Sequence, residues 1–285
     1  MKKYIYTFML FALYAPTAVQ AQSGWTKPKD TYFLKVDYSS YTSSDFRNNT
    51  GNSLTTSDFT QNAISAYGEY GISNRLTAIA FVPFFKQNSY ETTNKVSGFG
   101  DVKLELKYAL LNKSFPLSVS IAPEFPTGKK DNFAVNKSNP LEQINLPSGD
   151  GEFNVWTTLA VSHTFTPLKL YASAYSAFNY RTKYKERDFQ NQYQAGVEVG
   201  YQFFDRLWVN TKVSILTGVG AQPTTADFIR GDGTSYTGVS VGGLYEIGKN
   251  FGLTAQYFNS NSAIVKAKNI YANNILSFGI VYQKK

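Results

Sequence analysis

Period-two alternation, in segments of about ten residues separated by turn-rich gaps, is the feature that most restricts what this chain can fold into. It is clearest over Asp101–Leu110. There Val102, Leu104, Leu106, Tyr108 and Leu110 share one parity, and Asp101, Lys103, Glu105 and Lys107 the other. A helix would spread these charges around its surface, whereas a strand sorts them onto one face. Taken alone, the segment fits a soluble sandwich as well as a barrel with an apolar exterior and a polar lumen.

The rest of the chain chooses between the two. Further strands are expected at Asp30–Tyr41, Asn62–Ile72, Arg75–Lys86, Leu117–Phe125, Phe153–Phe165 and Leu168–Tyr180. Gln190–Phe203, Leu207–Thr217, Ser235–Ile247, Phe251–Asn259 and Tyr271–Gln283 complete the set. Their connections alternate in length. Short ones fall at Ser73-Asn74, Asn112–Pro116, Thr166-Pro167, Phe204–Arg206 and Gly248–Asn250. Long polar ones fall at 42–61, 87–98, 126–152, 181–189, 218–234 and 260–270. Tight periplasmic turns opposite long external loops, an even strand count and both termini on the turn side are the grammar of a bacterial outer-membrane barrel. The expected fold is therefore all-β: a single transmembrane antiparallel barrel of about twelve strands.

Composition supports this. Hydrophobic residues make up 42% of the 285, yet no run of about 18 apolar residues exists to form a spanning helix. Aromatics reach 16%, with 21 Tyr and 22 Phe, which suits pleated strands and the water–lipid boundary. There is no Cys and one His, so neither a disulfide scaffold nor a Cys- or His-rich metal site is expected. No cofactor is expected either.

At the N-terminus, Lys2 and Lys3, the apolar run Tyr4–Leu13 and Ala18-Val19-Gln20-Ala21 read as a cleaved secretory signal over residues 1–21. Cleavage would lower the net charge from +8 to +6, a scattered excess that argues against a nucleic-acid partner. Residues 22–29 then form a short periplasmic segment, too small for a large plug domain, and 30–285 the barrel.

The segment Gly98-Phe99-Gly100-Asp101-Val102-Lys103-Leu104-Glu105-Leu106-Lys107-Tyr108 resembles the G-x-G-D-x-x-φ-x-x-K-Y stretch of a known family of outer-membrane barrels. Its members are described as transporters or meta-pathway phenol-degradation proteins. The hairpin Tyr70–Leu76, the strand end Phe81-Val82-Pro83-Phe84 and the loop residues Pro126-Thr127-Gly128 and Leu146–Gly151 are similar to that family's in order and type. The resemblance implies an outer-membrane location and passive movement of small, hydrophobic or aromatic molecules. It fixes no substrate. The alternative is a structural or adhesive surface barrel with a plugged lumen. Expected partners are outer-membrane lipid, the barrel-assembly machinery during biogenesis and a small-molecule solute.

Parity assigns side chains to faces. If Val102 and Leu104 meet lipid, then Lys35, Asp37, Glu69, Asp101, Lys103, Glu105, Lys107, Glu198 and Lys212 line the lumen. There they either filter solutes or pair with one another to fill a narrow bore. Tyr32, Tyr70, Tyr108, Tyr201, Tyr245 and Tyr282 lie at strand ends and are expected as interface aromatics. Tyr67, Tyr171 and Tyr175 point inward and could line an apolar path. Gly98, Gly100 and Asp101 form a strand-entry motif and not a phosphate loop, because a strand follows and not a helix. Ser162 and His163 are the residues that would suggest a membrane-embedded lipid hydrolase. Adjacent strand residues point to opposite faces, so the two cannot meet, and no enzymatic activity is expected.

Overall fold

Nearly every non-local backbone hydrogen bond in this chain belongs to one antiparallel ladder that returns to its own beginning. The computed structural model describes residues 22–185, 188–220 and 231–284. The signal-sequence expectation lies outside these residues. Twelve strands form the wall: β1 (Tyr32–Arg47), β2 (Ser53–Ser73), β3 (Leu76–Tyr90), β4 (Val102–Leu111), β5 (Leu117–Phe125) and β6 (Asn154–Phe165), followed by β7 (Leu170–Arg181), β8 (Asn191–Phe203), β9 (Leu207–Val219), β10 (Tyr236–Glu246), β11 (Phe251–Asn261) and β12 (Asn274–Lys284). Each pairs with its sequence neighbour, and β12 pairs with β1 from Tyr32↔Lys284 to Ser40↔Leu276. The sheet is a closed barrel without a free edge. No helix among the described residues is long and apolar enough to cross a membrane.

The alternation is realised side chain by side chain. In β4, Leu104, Leu106, Tyr108 and Leu110 are exposed on the outside, while Lys107 and Ala109 are buried within. Leu34 and Val36 in β1, Val197 and Val199 in β8, and Phe278 and Ile280 in β12 extend the same apolar belt around the barrel. In water such a belt would be a severe liability; against hydrocarbon it is the favoured surface.

Two elements differ from expectation. First, β1 and β2 run well past Tyr41 and Asn62, so the connection between them shrinks to residues 48–52. The added stretch is mostly polar, including Thr42, Ser43, Asp45, Thr55 and Thr60, and its few apolar residues, Phe46, Leu54 and Phe59, are too scattered to give an alternation to read. Backbone pairing and side-chain bonds such as Thr42 Oγ1–Thr60 Oγ1 (2.9 Å) hold it. Second, the expected strand Tyr271–Gln283 divides. Ile270–Tyr271 pairs with the end of β1, and β12 begins only at Asn274.

The long connection between β5 and β6 is folded, not extended. Phe133–Val135 and Gln143–Asn145 form a small ribbon, and Ala134 and Leu146 are fully buried beside Phe59 and Tyr271. This closes much of the loop end of the barrel.

Candidate functional site

The lumen has three levels, and each is built by inward-facing positions of different strands. At the turn end lies an apolar girdle of Phe33, Tyr67, Ile79, Tyr171, Trp208, Leu244 and Val281, all buried. Residues 22–29, expected as a short periplasmic segment, are folded into this end of the bore. Lys29 N donates to Asn74 Oδ1 (3.1 Å) at the rim, and Lys27 N to Thr77 Oγ1 (2.8 Å). Trp25 meets Tyr171 edge-on at 5.6 Å and packs on the girdle. Gly24 N donates to Ser162 Oγ (2.8 Å), and Ser23 O accepts from Ser118 Oγ (3.1 Å). Gln22 reaches furthest, donating to Gln194 (3.1 Å) and accepting from Lys212 Nζ (2.8 Å). The segment thus crosses the bore from β2–β3 to β8–β9. The sequence signal for this was small: eight residues with one Trp, too short to suggest a plug by length.

The middle level is charged. Lys35 pairs with Asp37 at 3.0 Å, and Glu69 with Lys27 of the inserted segment at 3.8 Å. Glu69 also accepts from Tyr67 OH (2.5 Å), and Glu198 from Tyr171 OH (2.6 Å). Lys212 lies over the Tyr175 ring at 4.7 Å and opposite Glu198 in register. Lys103, Glu105 and Lys107 occupy inward positions of β4. Two of the three tyrosines that parity sends inward, Tyr67 and Tyr171, therefore donate to carboxylates as well as forming part of the girdle, while Tyr175 packs with Ala160 and Ala177.

Asp101 has a different place from the other lumen candidates. Standing just before β4, it accepts from Gly128 N through Oδ1 (2.9 Å) and from Asp150 N through Oδ2 (2.6 Å). It pins the two ends of the 126–152 loop to the barrel. Gly98 and Gly100 make room for this: a Cβ at Gly98 would come within 2.4 Å of Ser148 Oγ, and one at Gly100 within 2.5 Å of Pro83. Ser148 Oγ in turn donates to Phe99 O (2.6 Å). The glycines serve close approach of a loop to the strand entry.

The loop-end level is a cavity of about 360 Å³ beneath that folded loop. Its wall mixes rings and amides, including Tyr41, Trp156, Asn88, Asn154, Asn179 and Asn273. Arg181, at the end of β7, donates through Nε (2.8 Å) and Nη2 to Glu152 Oε1 and through Nη1 to Gly231 O (3.1 Å). This ion pair is buried on both sides. Burial pushes the Glu152 carboxyl up to about 8 despite the pull of Arg181. Burial likewise pushes Asp150 up to about 7, opposed by Lys86 and Arg181. Neither Arg181 nor Glu152 is marked by alternation, since the pair joins a strand end to a loop.

The six expected interface tyrosines lie on the turn rim of the barrel. Tyr32 faces Tyr70 in register, and Tyr282 packs on Tyr32 (5.7 Å) and Phe251 (4.8 Å). Tyr70, Tyr108, Tyr201 and Tyr245 are exposed on the outer face. His163 also faces outward, stacked on Phe115 at 4.4 Å, with Nδ1 2.7 Å from Ser114 O. Ser162 faces inward against Ser173 Oγ (2.8 Å), so the two stand on opposite sides of β6.

No protein-family model matches the chain, and no curated protein does. Solved structures do. An outer membrane channel from Pseudomonas putida F1 superposes with a TM-score of 0.69 at 17% identity, covering 94% of this chain and 100% of the other. The translocator domain of the autotransporter NalP from Neisseria meningitidis gives 0.54 at 9% identity, covering 90% and 89%. The NanC porin gives 0.52 at 12%, covering 87% and 98%. By fold the chain is an outer-membrane β-barrel, in keeping with the transporter-type barrels that Gly98–Tyr108 resembles.

Proposed function

We propose that this barrel is a passive outer-membrane channel for small uncharged solutes, and that residues 22–29 act as its gate at the turn end. The observation that carries the reading is the inserted segment itself. One short stretch of chain, held by scattered hydrogen bonds, the Trp25–Tyr171 ring contact and the Lys27–Glu69 ion pair, lies across the bore that the closed wall encloses. Such a stretch can leave piecewise, since no single contact anchors it and each hydrogen bond contributes only about 1 kcal/mol net. The preference for uncharged solutes follows from the paired lumen. Lys35 with Asp37, Glu69 with Lys27 and Lys212 opposite Glu198 present both signs at close quarters, leaving little field for steering an ion.

A second reading is favoured by the girdle. Phe33, Tyr67 and Trp208 with Trp25 fill the turn end with apolar side chains, as a permanently closed structural or adhesive barrel would require. Planar-bilayer recordings separate the two. The full chain is expected to show brief openings, and a variant lacking residues 22–27, or Trp25→Gly, a conductance several-fold larger. Silence and zero solute flux from all three, with each verified as folded by heat-modifiable gel mobility, would leave the closed barrel as the correct reading.

A further inference from the structure

The loop-end cavity contains polar groups that the protein does not itself satisfy. Asn154 and Asn273 line it at 3% and 8% exposure, and neither side-chain oxygen has a hydrogen-bond partner. Asn179, also a lining residue, donates its amide to Gln192 Oε1 (3.1 Å) while its own Oδ1 is left without a donor. Elsewhere the same wall is closed by internal bonds: Gln61 Nε2 donates to Asn88 Oδ1 (3.0 Å), and Asn88 Nδ2 to Pro147 O (2.9 Å). Buried amides without partners are rare in folded proteins and costly to keep. Three around one cavity point to a ligand that completes them.

We propose that this cavity is a binding site for a neutral polyhydroxylated ligand of mono- or disaccharide size. Hydroxyl groups both donate and accept, so a ring of them can satisfy an asparagine amide in either orientation. Trp156 and Tyr41 add ring surface to the same wall, suited to the C–H face of a sugar. Trp156 is held in place by donating its Nε1 to Glu124 (3.3 Å). Among the lining residues the formal charges are two of each sign, Lys86 and Arg181 against Glu124 and Asp150, and Arg181 is already paired with Glu152, so no ion has a dedicated counter-charge. The volume, about 360 Å³, is in the range of small-molecule sites. A hydrocarbon of equal size would leave the three carbonyls unpaired, and buried polar groups left unpaired are what a site uses to reject an analogue.

The proposal rests on the channel reading only for the route by which the ligand reaches the cavity. Binding can be read without a bilayer. Folded full-length protein in detergent micelles is titrated calorimetrically with D-glucose, maltose, myo-inositol, phenol and benzoate. Saturable binding of at least one sugar or polyol is expected, weakened at least about tenfold in Asn154→Ala/Asn273→Ala. Asn273→Ser alone serves if the double variant melts early. Either no saturable heat from any sugar or polyol, or unchanged binding by the folded variants, or phenol binding that no sugar displaces, overturns it. Saturable binding by a protein that never conducts removes the channel reading and leaves this site standing. Conduction without binding does the reverse.

Discussion

Asp150 and Glu152 sit two residues apart where the longest loop re-enters the barrel, and burial raises both carboxyls into the neutral range, to about 7 and about 8. In an opened loop Asp150 would return to its ordinary 3.8. The closed loop therefore holds extra protons between those values and loses that advantage as pH rises through them. We expect the 126–152 loop to be held firmly at pH 5 and loosened by pH 9. A spin label at Ser138 should gain mobility across that interval, and Asp150→Asn should remove about half of the response, Glu152 carrying the rest. At this scale the sequence was legible only in part. Lys35, Asp37, Glu69, Glu198 and Lys212 could be assigned to the lumen because strand parity is exact. The Glu152–Arg181 pair could not, because it depends on how a loop of irregular backbone folds back.

Loops and termini are the elements in which tertiary packing decides the outcome. The Gly98-Phe99-Gly100-Asp101 entry is readable as a turn into a strand, but the bonds that Asp101 accepts are not. Its partners, Gly128 N and Asp150 N, lie in a segment whose sequence has no period to follow. Removing a carboxylate that accepts two backbone bonds should cost about 2–3 kcal/mol of loop attachment. Asp101→Ala is therefore expected to leave the barrel folded, while proteolytic nicking within 126–152 becomes at least about tenfold faster. Nicking at the wild-type rate would show that Ser148 and the Ala134–Leu146 cluster suffice to hold the loop. The inserted N-terminal segment was missed for the opposite reason. Eight residues are too few to suggest a plug by length, yet their contacts run from the β2–β3 rim to β8 and β9.

For the molecule as a whole, the governing fact is the inversion of surface. Leucine, valine and phenylalanine face outward over the belt, while lysine, glutamate and asparagine face in. This pattern is legible over the membrane-spanning part of the strands, because it repeats there and needs no knowledge of loops; the polar outer ends of β1 and β2 lack it. It is also the most sensitive to change. Leu106, 51% exposed on the outer face of β4, should tolerate Leu106→Phe but lose about 2–4 kcal/mol on Leu106→Lys. Reversible unfolding from lipid vesicles in guanidinium would read the loss. A cost near zero would place Leu106 outside the hydrocarbon zone and shift the belt along the barrel axis.

The β1–β12 seam closes a ring around Gln22–Lys29, and this has a consequence for how the molecule is assembled. The segment touches side chains or backbone contributed by β2, β3, β5, β6, β8 and β9. The hydrogen bonds among those contacts span from 50 to 190 positions along the chain, and the longest, to β6, β8 and β9, carry a high contact order that postpones them to the end of folding. Residues 22–29 must be inside before the wall is sealed, or be drawn in through the turn-side opening afterwards. Trp25, edge-on to Tyr171 at 5.6 Å, would then change its emission last, as a built-in clock for the moment the barrel becomes complete.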